Sequence, residues 1–219
     1  MKKIVLWGIG RITEVIYYYM LKDGYSVEAF CIDRGFLKGQ KEFKGKPVIA
    51  FEDIVVQYPP QDFVLGIPIS YKNMNKYRED RYLKAKSLGY SFITYISSES
   101  ICDASSIGEN VFILTASIVL PFTTIGNNVI MFGGSIGHHC IIEDNCFMSG
   151  ASISGNSIIQ RNSFVSNGAL VSSDVQVGGF CLIGPGAVVT HNVKDYSVLA
   201  VKQTPRAPIK STDMEDILG

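Results

Sequence analysis

Ile153-Ser154-Gly155-Asn156-Ser157-Ile158-Ile159-Gln160-Arg161-Asn162-Ser163-Phe164-Val165 repeats itself every six residues. Ile153, Ile159 and Val165 hold one position, and Ser157 and Ser163 stand four residues after the first two. Forward steps of six reach Val171, Val177, Ile183 and Val189. Backward, with one-residue slips before Ile153 and Ile136, the series runs Met148, Ile142, Ile136, Met131, Ile125, Val119, Ile113, Ile107 and Ile101. Every member is aliphatic or methionine.

The fourth residue after each is small: Ser105, Val111, Ser117, Thr123, Val129, Ser135, Cys140, Cys146, Ser152, Ser157, Ser163, Ala169, Val175, Cys181, Ala187 and Val193. A period of six with two inward positions matches neither an α-helix nor an alternating strand. It matches a three-sided prism of short parallel strands. Each rung forms one flat face, and three rungs close a coil. The large aliphatic fills the interior, and the small residue sits where the chain turns a corner. The slips leave five-residue rungs at 131–135 and 148–152. With coils spanning 119–135 and 136–152, these short rungs are expected to stack about 4.8 Å apart, beside the histidine pair His138 and His139.

The chain has 219 residues, 47% apolar and 18% charged, which marks a globular protein. Net charge is zero, and no basic stripe points to nucleic acid or an anionic membrane. The apolar run Ile4–Trp7 ends at Gly8, too short for a signal peptide, and no segment approaches the roughly 18 apolar residues of a membrane span. A cytoplasmic protein is expected. Five cysteines, an odd number without CxxC spacing, indicate neither a disulfide framework nor a zinc site. Cys140, Cys146 and Cys181 occupy the small inward position and read as buried small hydrophobes.

Residues 1–98 read as βαβ units around a parallel sheet. Strands are expected at Lys3–Trp7, Ser26–Ile32, Phe63–Ile67 and Phe92–Ile96. Helices are expected from Gly10 to about Leu21 and over Asn73–Leu88. Gly8-x-Gly10-x-x-Thr13, with Asp33 further on, is similar to a dinucleotide fingerprint with threonine in the third place. A nicotinamide enzyme would rest on this motif alone. Glycines at a helix start do offer close approach and free N–H groups to a phosphate.

Together the halves resemble the sugar acyltransferases that carry a small nucleotide-sugar-binding domain ahead of a left-handed parallel β-helix, of the sialic acid O-acetyltransferase and UDP-4-amino-sugar N-acetyltransferase type. The left hand follows from this resemblance, since parallel crossovers are otherwise nearly always right-handed. The implied organisation is a Rossmann-like domain at 1–98, the β-helix at 99–205 and a tail at 206–219. The implied activity is transfer of an acetyl group from acetyl-CoA to an amino group of a nucleotide-linked deoxysugar, directly and without an acyl-enzyme. O-acetylation, transfer of a longer acyl group, or a non-enzymatic nucleotide-sugar-binding scaffold are the alternatives. The implied assembly is a homotrimer.

The resemblance also assigns residues. Gly8, Gly10, Arg11, Asp33, Arg34 and Gly66 line the nucleotide-sugar pocket, with Arg11 where relatives often have histidine and able to pair with a diphosphate. His138 holds the place of the catalytic histidine, a general base with a near-neutral pKa. Relatives follow it with Asp or Glu, whereas His139 stands here. His139 itself, Glu143, Asp144 or a neighbouring subunit are the candidates to support the base. Gly155, Asn167 and Gly184 take the CoA-contacting positions, in a groove between neighbouring prisms. Gln203-Thr204-Pro205-Arg206-Ala207 is similar to a degenerate Gly-x-Pro-Ala-Arg element, which puts Pro205 and Arg206 near a CoA phosphate. Phe147 replaces a second histidine, so an altered acyl end of the pocket is expected. His191 falls in the column of His138 but three coils away, roughly 14 Å. A three-histidine metal site, as in a β-helical carbonic anhydrase, is therefore not expected.

Overall fold

The computed structural model describes residues 3–208, 210 and 212. Strands β1 (Lys3–Trp7), β2 (Val27–Ile32), β3 (Glu42–Phe43), β4 (Lys46–Ala50) and β5 (Phe63–Gly66) form one sheet in the order β3-β4-β2-β1-β5. All pairs are parallel except β3 with β4. That antiparallel hairpin turns through Lys44 and Gly45, both at positive φ as a two-residue turn requires. Ile4 to Trp7 are all buried because both faces of the sheet are covered. Ile4 and Leu6 pack with α1 (Arg11–Lys22) and with the prism. Val5 and Trp7 pack with α2 (Ile54–Gln57) and α3 (Lys76–Ser87).

Leu65 bridges to Phe92, and Tyr95–Ile96 pairs with Phe112–Ile113. One extended segment thus joins the sheet to the first rung of the prism. The prism is three stacks of parallel strands. Its inward columns are Cys102-Val119-Ile136-Ile153-Val171-Val189, Ile107-Ile125-Ile142-Ile159-Val177, and Ile96-Ile113-Met131-Met148-Val165-Ile183-Leu199. They form one apolar core.

The inward aliphatic series is met at each member from Ile107 to Val189, but the pattern fails at both ends; Val193, expected as a small corner residue, bridges to Val177 and extends that inward column. Ile101 is 57% exposed, and its neighbour Cys102 pairs with Val119 and packs on the core. Ile101 joins an outward column with Ile118, Leu170 and Val188.

The two short rungs stack as expected. Ile130–Ile136 and Phe147–Ile153 are continuous seven-residue strands paired Met131 to Met148 and Ile136 to Ile153. Within them the inward small residue is Ala151, 3% exposed, rather than Ser152, and Gly134 rather than Ser135 is its partner in register. A five-residue rung loses its extra residue at the corner. The small position therefore stays two before the next aliphatic, not four after the last.

An asparagine ladder lines one prism edge. Asn110, Asn128, Asn145 and Asn162 all adopt positive φ, and each side-chain amide reaches the next carbonyl oxygen. The N-terminal domain docks here. Ile67 N–H donates to Asn110 Oδ1 at 2.8 Å. Arg78, fully buried on α3, donates to the carbonyls of Asn128, Asn145 and Cys146 and to Asn75 Oδ1. Five oriented donors and carbonyl acceptors let the cation be buried without an abutting carboxylate. The adjoining outer face of the prism, with Phe112, Ile130, Phe147 and Phe164, is packed under the same domain. Among the described residues no helix is long and apolar enough to cross a membrane.

Candidate active site

His138 and His139 occupy the corner that follows inward Ile136 and precedes inward Cys140. The corner is pinned from both neighbouring coils. His139 N–H donates to Pro121 O at 3.2 Å, and His138 C=O accepts from Asn156 N–H at 2.9 Å. His139 takes φ 55°, in a column with Phe122, Asn156 and Asp174, all at positive φ. Its ring leans on Phe122, 4.6 Å between centroids, and its Nδ1 lies 3.0 Å from Nδ1 of His138.

The His138 ring lies over Gly155, one coil on. A Cβ added to Gly155 would sit 2.7 Å from Cε1 and 2.8 Å from Nε2 of that ring, so only glycine admits the imidazole there. Both histidines are exposed. With Nδ1 engaged by His139, Nε2 is the ring nitrogen left to meet a ligand.

The carboxylates considered as supports for His138 are committed elsewhere. Glu143 accepts from Arg161 N–H at 2.9 Å, and Asp144 from Asn127 N–H at 2.6 Å. His191 lies three coils along the same edge, with Nδ1 2.9 Å from Thr190 Oγ1. Among the described residues no group of three or more His, Cys, Asp or Glu is placed to hold a metal. Cys140 is buried inside the corner and its thiol is pushed up by burial, as is that of Cys146, to about 12. Neither supplies a thiolate nucleophile.

Gly155 shares the edge of His138, but Asn167 and Gly184 lie on the next edge, after Val165 and Ile183. Asn167 accepts from Ser149 Oγ at 2.9 Å. The two edges flank one face, whose outward residues Ile118, Leu170 and Val188 are exposed by 41%, 39% and 62%. Within a single chain these residues do not converge. Pro205 and Arg206 are exposed in irregular chain beyond the last rung, Val198–Leu199.

Phe147 does not belong to this site. It is 3% exposed at the domain junction, in ring contact with Tyr71, Phe132 and Phe164 and near the Arg78 guanidinium. Its place beyond the histidine corner, after the strand Ile141–Ile142, puts it on a different prism face, so the expected effect on the acyl pocket loses its basis.

A second cavity, of about 200 Å³, opens at the C-terminal ends of β1 and β2 between Trp7, Gly8, Ile32, Asp33, Ile69 and Tyr77. Asp33 Oδ2 accepts from Tyr77 OH at 2.7 Å and from Arg81 Nη2 at 3.0 Å. Arg81 stacks on the Tyr77 ring at 3.5 Å. Burial and then Asp33 hold the Tyr77 hydroxyl up to about 12. Neither Tyr77 nor Arg81 was anticipated from sequence. Both project from one side of α3, whose other side carries Arg78.

Gly10 caps α1 and Arg11 opens it, both exposed at its N-terminus. Thr13, in the place of the third glycine, is buried and donates to Pro68 O at 3.0 Å, tying α1 to the chain after β5. Two residues stand apart from the cavity. Arg34 is turned to Asp53 Oδ1 at 2.6 Å, with its N–H on Glu52. Gly66 is packed inside the core, where a Cβ would lie 2.7 Å from Leu6 Cδ2 and 3.1 Å from Phe112 Cζ. Gly66 lets the sheet close on the prism. Another cavity, about 460 Å³ beside Lys3, Asp23 and Tyr25, is at the opposite end of β1. Its Asp23 is spent on Tyr95 OH and Ser98.

No protein-family model matches the chain, and no curated protein matches it. Solved structures do. A histidine-to-asparagine mutant of perosamine N-acetyltransferase from Caulobacter crescentus, in complex with CoA and GDP-perosamine, is similar with a TM-score of 0.80 at 20% identity, over 90% of this chain and 93% of that one. The acetyltransferase domain of PglB from Neisseria gonorrhoeae, in complex with acetyl coenzyme A, gives 0.79 at 21%, over 90% and 95%. WeeI from Acinetobacter baumannii gives 0.78 at 21%, over 90% and 96%. At this identity the likeness establishes the fold: the sheet domain and the prism are joined in one architecture shared with these proteins.

Proposed function

We propose that the protein transfers the acetyl group of acetyl-CoA to an amino group of a nucleotide-linked deoxysugar. The observation that carries this reading is His138, set on Gly155 at a prism edge with Nδ1 engaged and Nε2 unobstructed by its partner. The perosamine N-acetyltransferase and PglB structures, with CoA, GDP-perosamine or acetyl coenzyme A in their complexes, support the choice of donor and acceptor.

The neutral amine attacks the thioester carbonyl while His138 Nε2 takes its proton. The tetrahedral intermediate collapses, the C–S bond breaks, and the CoA thiolate recovers the proton from the His138 imidazolium. No acyl-enzyme forms. In this reading the Gly155 N–H, on the coil next to the base, meets the developing oxyanion. General-base assistance of this kind contributes about 10²–10⁴ in rate.

In this reading residues 1–98 are a Rossmann-like nucleotide-sugar domain, 99–205 a left-handed β-helix and 206–219 a tail, and the protein is a cytoplasmic homotrimer. The 200 Å³ cavity receives the nucleotide, with Asp33 as its acceptor group and Gly8, Gly10 and Arg11 at the helix start near the diphosphate. The trimer is supported by the exposed Ile118, Leu170 and Val188 face. Pairing that face with another copy brings the Asn167 and Gly184 edge of one prism to the His138 edge of the next and forms the CoA groove.

A mass-spectrometric screen of nucleotide amino-sugars with acetyl-CoA tests the proposal. The expected product is heavier by one acetyl on nitrogen, and its absence with every amino-sugar would overturn the assignment. A hydroxylamine-labile ester product would instead select O-acetylation.

A further inference from the structure

We propose that His139 is the positioning residue of this site: it fixes His138 as the tautomer protonated on Nδ1, leaving the Nε2 lone pair as the base. The inference rests on the acetyl-transfer reading, which needs a base, and adds how the base is set.

Two ring nitrogens 3.0 Å apart must share one proton between them. Either His138 or His139 donates. The reaction decides which, since it needs its base on His138. His138 is wedged over Gly155, and its other ring nitrogen, Nε2, lies beside that residue. If His139 donated from Nδ1, His138 would accept at Nδ1 and carry its proton on Nε2. Its only lone pair would then be consumed inside the pair. If His138 donates, His139 accepts with Nδ1 and keeps its own proton on Nε2. Only this second arrangement puts the free lone pair on His138, the ring set over Gly155; the first would put it on Nε2 of His139.

The contact is built rather than incidental. Consecutive side chains in an extended rung point to opposite sides. Here the left-handed φ of 55° at His139 folds the two rings onto one side of the corner. That conformation is costly for a non-glycine residue. It is enforced by His139 N–H on Pro121 O and Asn156 N–H on His138 O. Phe122 closes on the His139 ring from the preceding coil. The groups facing the pair from the neighbouring coils are Pro121, Phe122, Gly155 and Asn156, none of which titrates. Asp174 is the first charge in the column, two coils from His139 or about 10 Å away.

A neutral acceptor has a consequence that a carboxylate does not. A carboxylate beside the base favours the imidazolium and raises its pKa. A neutral histidine gives orientation without that rise.

The test uses ¹⁵N-histidine protein in a His191→Gln background and reads tautomers by two-bond ¹⁵N–¹H correlation without substrate. His138 is expected on Nδ1 in the parent and to redistribute toward Nε2 in His139→Gly. Kinetics follow on three variants whose residues tolerate the corner φ. His139→Gly should lower kcat by about 10–100-fold, the usual effect of losing a group that fixes a histidine tautomer. His139→Asn should restore much of it with the acid limb of kcat/KM unmoved. His139→Asp should restore it with that limb shifted to higher pH. His138 protonated on Nε2 in the parent, or the same acid limb and rate in all three variants, would overturn the proposal. The tautomer reading needs no acceptor substrate. It therefore decides the role of His139 separately from a failure of the acetyl-transfer assignment.

Discussion

Arg78 on α3 donates to the carbonyl of Asn145 on the prism at 2.9 Å, across the junction of the two domains. The same helix turns Tyr77 and Arg81 toward Asp33 in the cavity at the ends of β1 and β2. One rigid element thus links the cavity to the corner ladder. Replacing Arg78 by Met takes the donor from the carbonyls of buried Asn128 and Asn145, each loss costing about 1–3 kcal/mol. Urea unfolding should show a loss of at least about 2 kcal/mol, and Arg78→Lys should not restore it, because one ammonium cannot span the carbonyls that the planar fork reaches.

Gly155→Ala places a methyl inside contact distance of the His138 imidazole. The ring must move by most of an ångström, and a displacement of that size costs about 10²-fold in rate. Steady-state assays should show kcat down by about that factor, with the circular-dichroism spectrum and melting temperature close to the parent.

Tyr82 and Tyr90 are 6% and 3% exposed, and burial pushes both hydroxyls up to about 12. An acid whose folded pKa exceeds its unfolded value, about 10 for tyrosine, binds its proton more tightly in the native state. The stability it contributes is complete below pH 10 and is lost as pH rises through 12. Thermal melts should begin to fall above about pH 8.5, where thiols freed by unfolding ionise while buried Cys140 and Cys146 stay protonated, and fall more steeply above about pH 10. Tyr90→Phe should make the fall shallower.

Phe147→Ala should destabilise the protein by about 3–5 kcal/mol, the usual cost of emptying a buried aromatic site. It should leave the preference for acetyl over longer acyl donors unchanged. A changed donor preference in competition assays would return Phe147 to the acyl pocket.

The hexapeptide period was legible because interior packing writes directly onto the sequence: each rung needs one large and one small inward residue. Its errors arose where that writing is ambiguous. Ile101 and Cys102 are both apolar, and only the register with Val119 selects Cys102. In the short rungs, counting from the preceding aliphatic chose Ser135 and Ser152, while the corner geometry keeps the spacing to the next one. The Lys44-Gly45 turn carries a hairpin signal that was overlooked. Phe147 was assigned to the acyl pocket by its spacing from the histidines, and Arg78 carried no signal of its own, because both are covered only where the two domains meet. Tyr77 and Arg81 lacked any local motif, since they meet Asp33 only through the packing of α3. His138 and Gly155 were legible as one column because the coil length is fixed, and the same arithmetic separated His191.

The replacement of His138 by Ala tests the account most directly, with kcat and CoA affinity measured together on the acceptor found by screening. The expected result is a fall in kcat of about 10²-fold or more, with CoA binding retained. Near-normal turnover by the variant would contradict the assignment of His138 as the base.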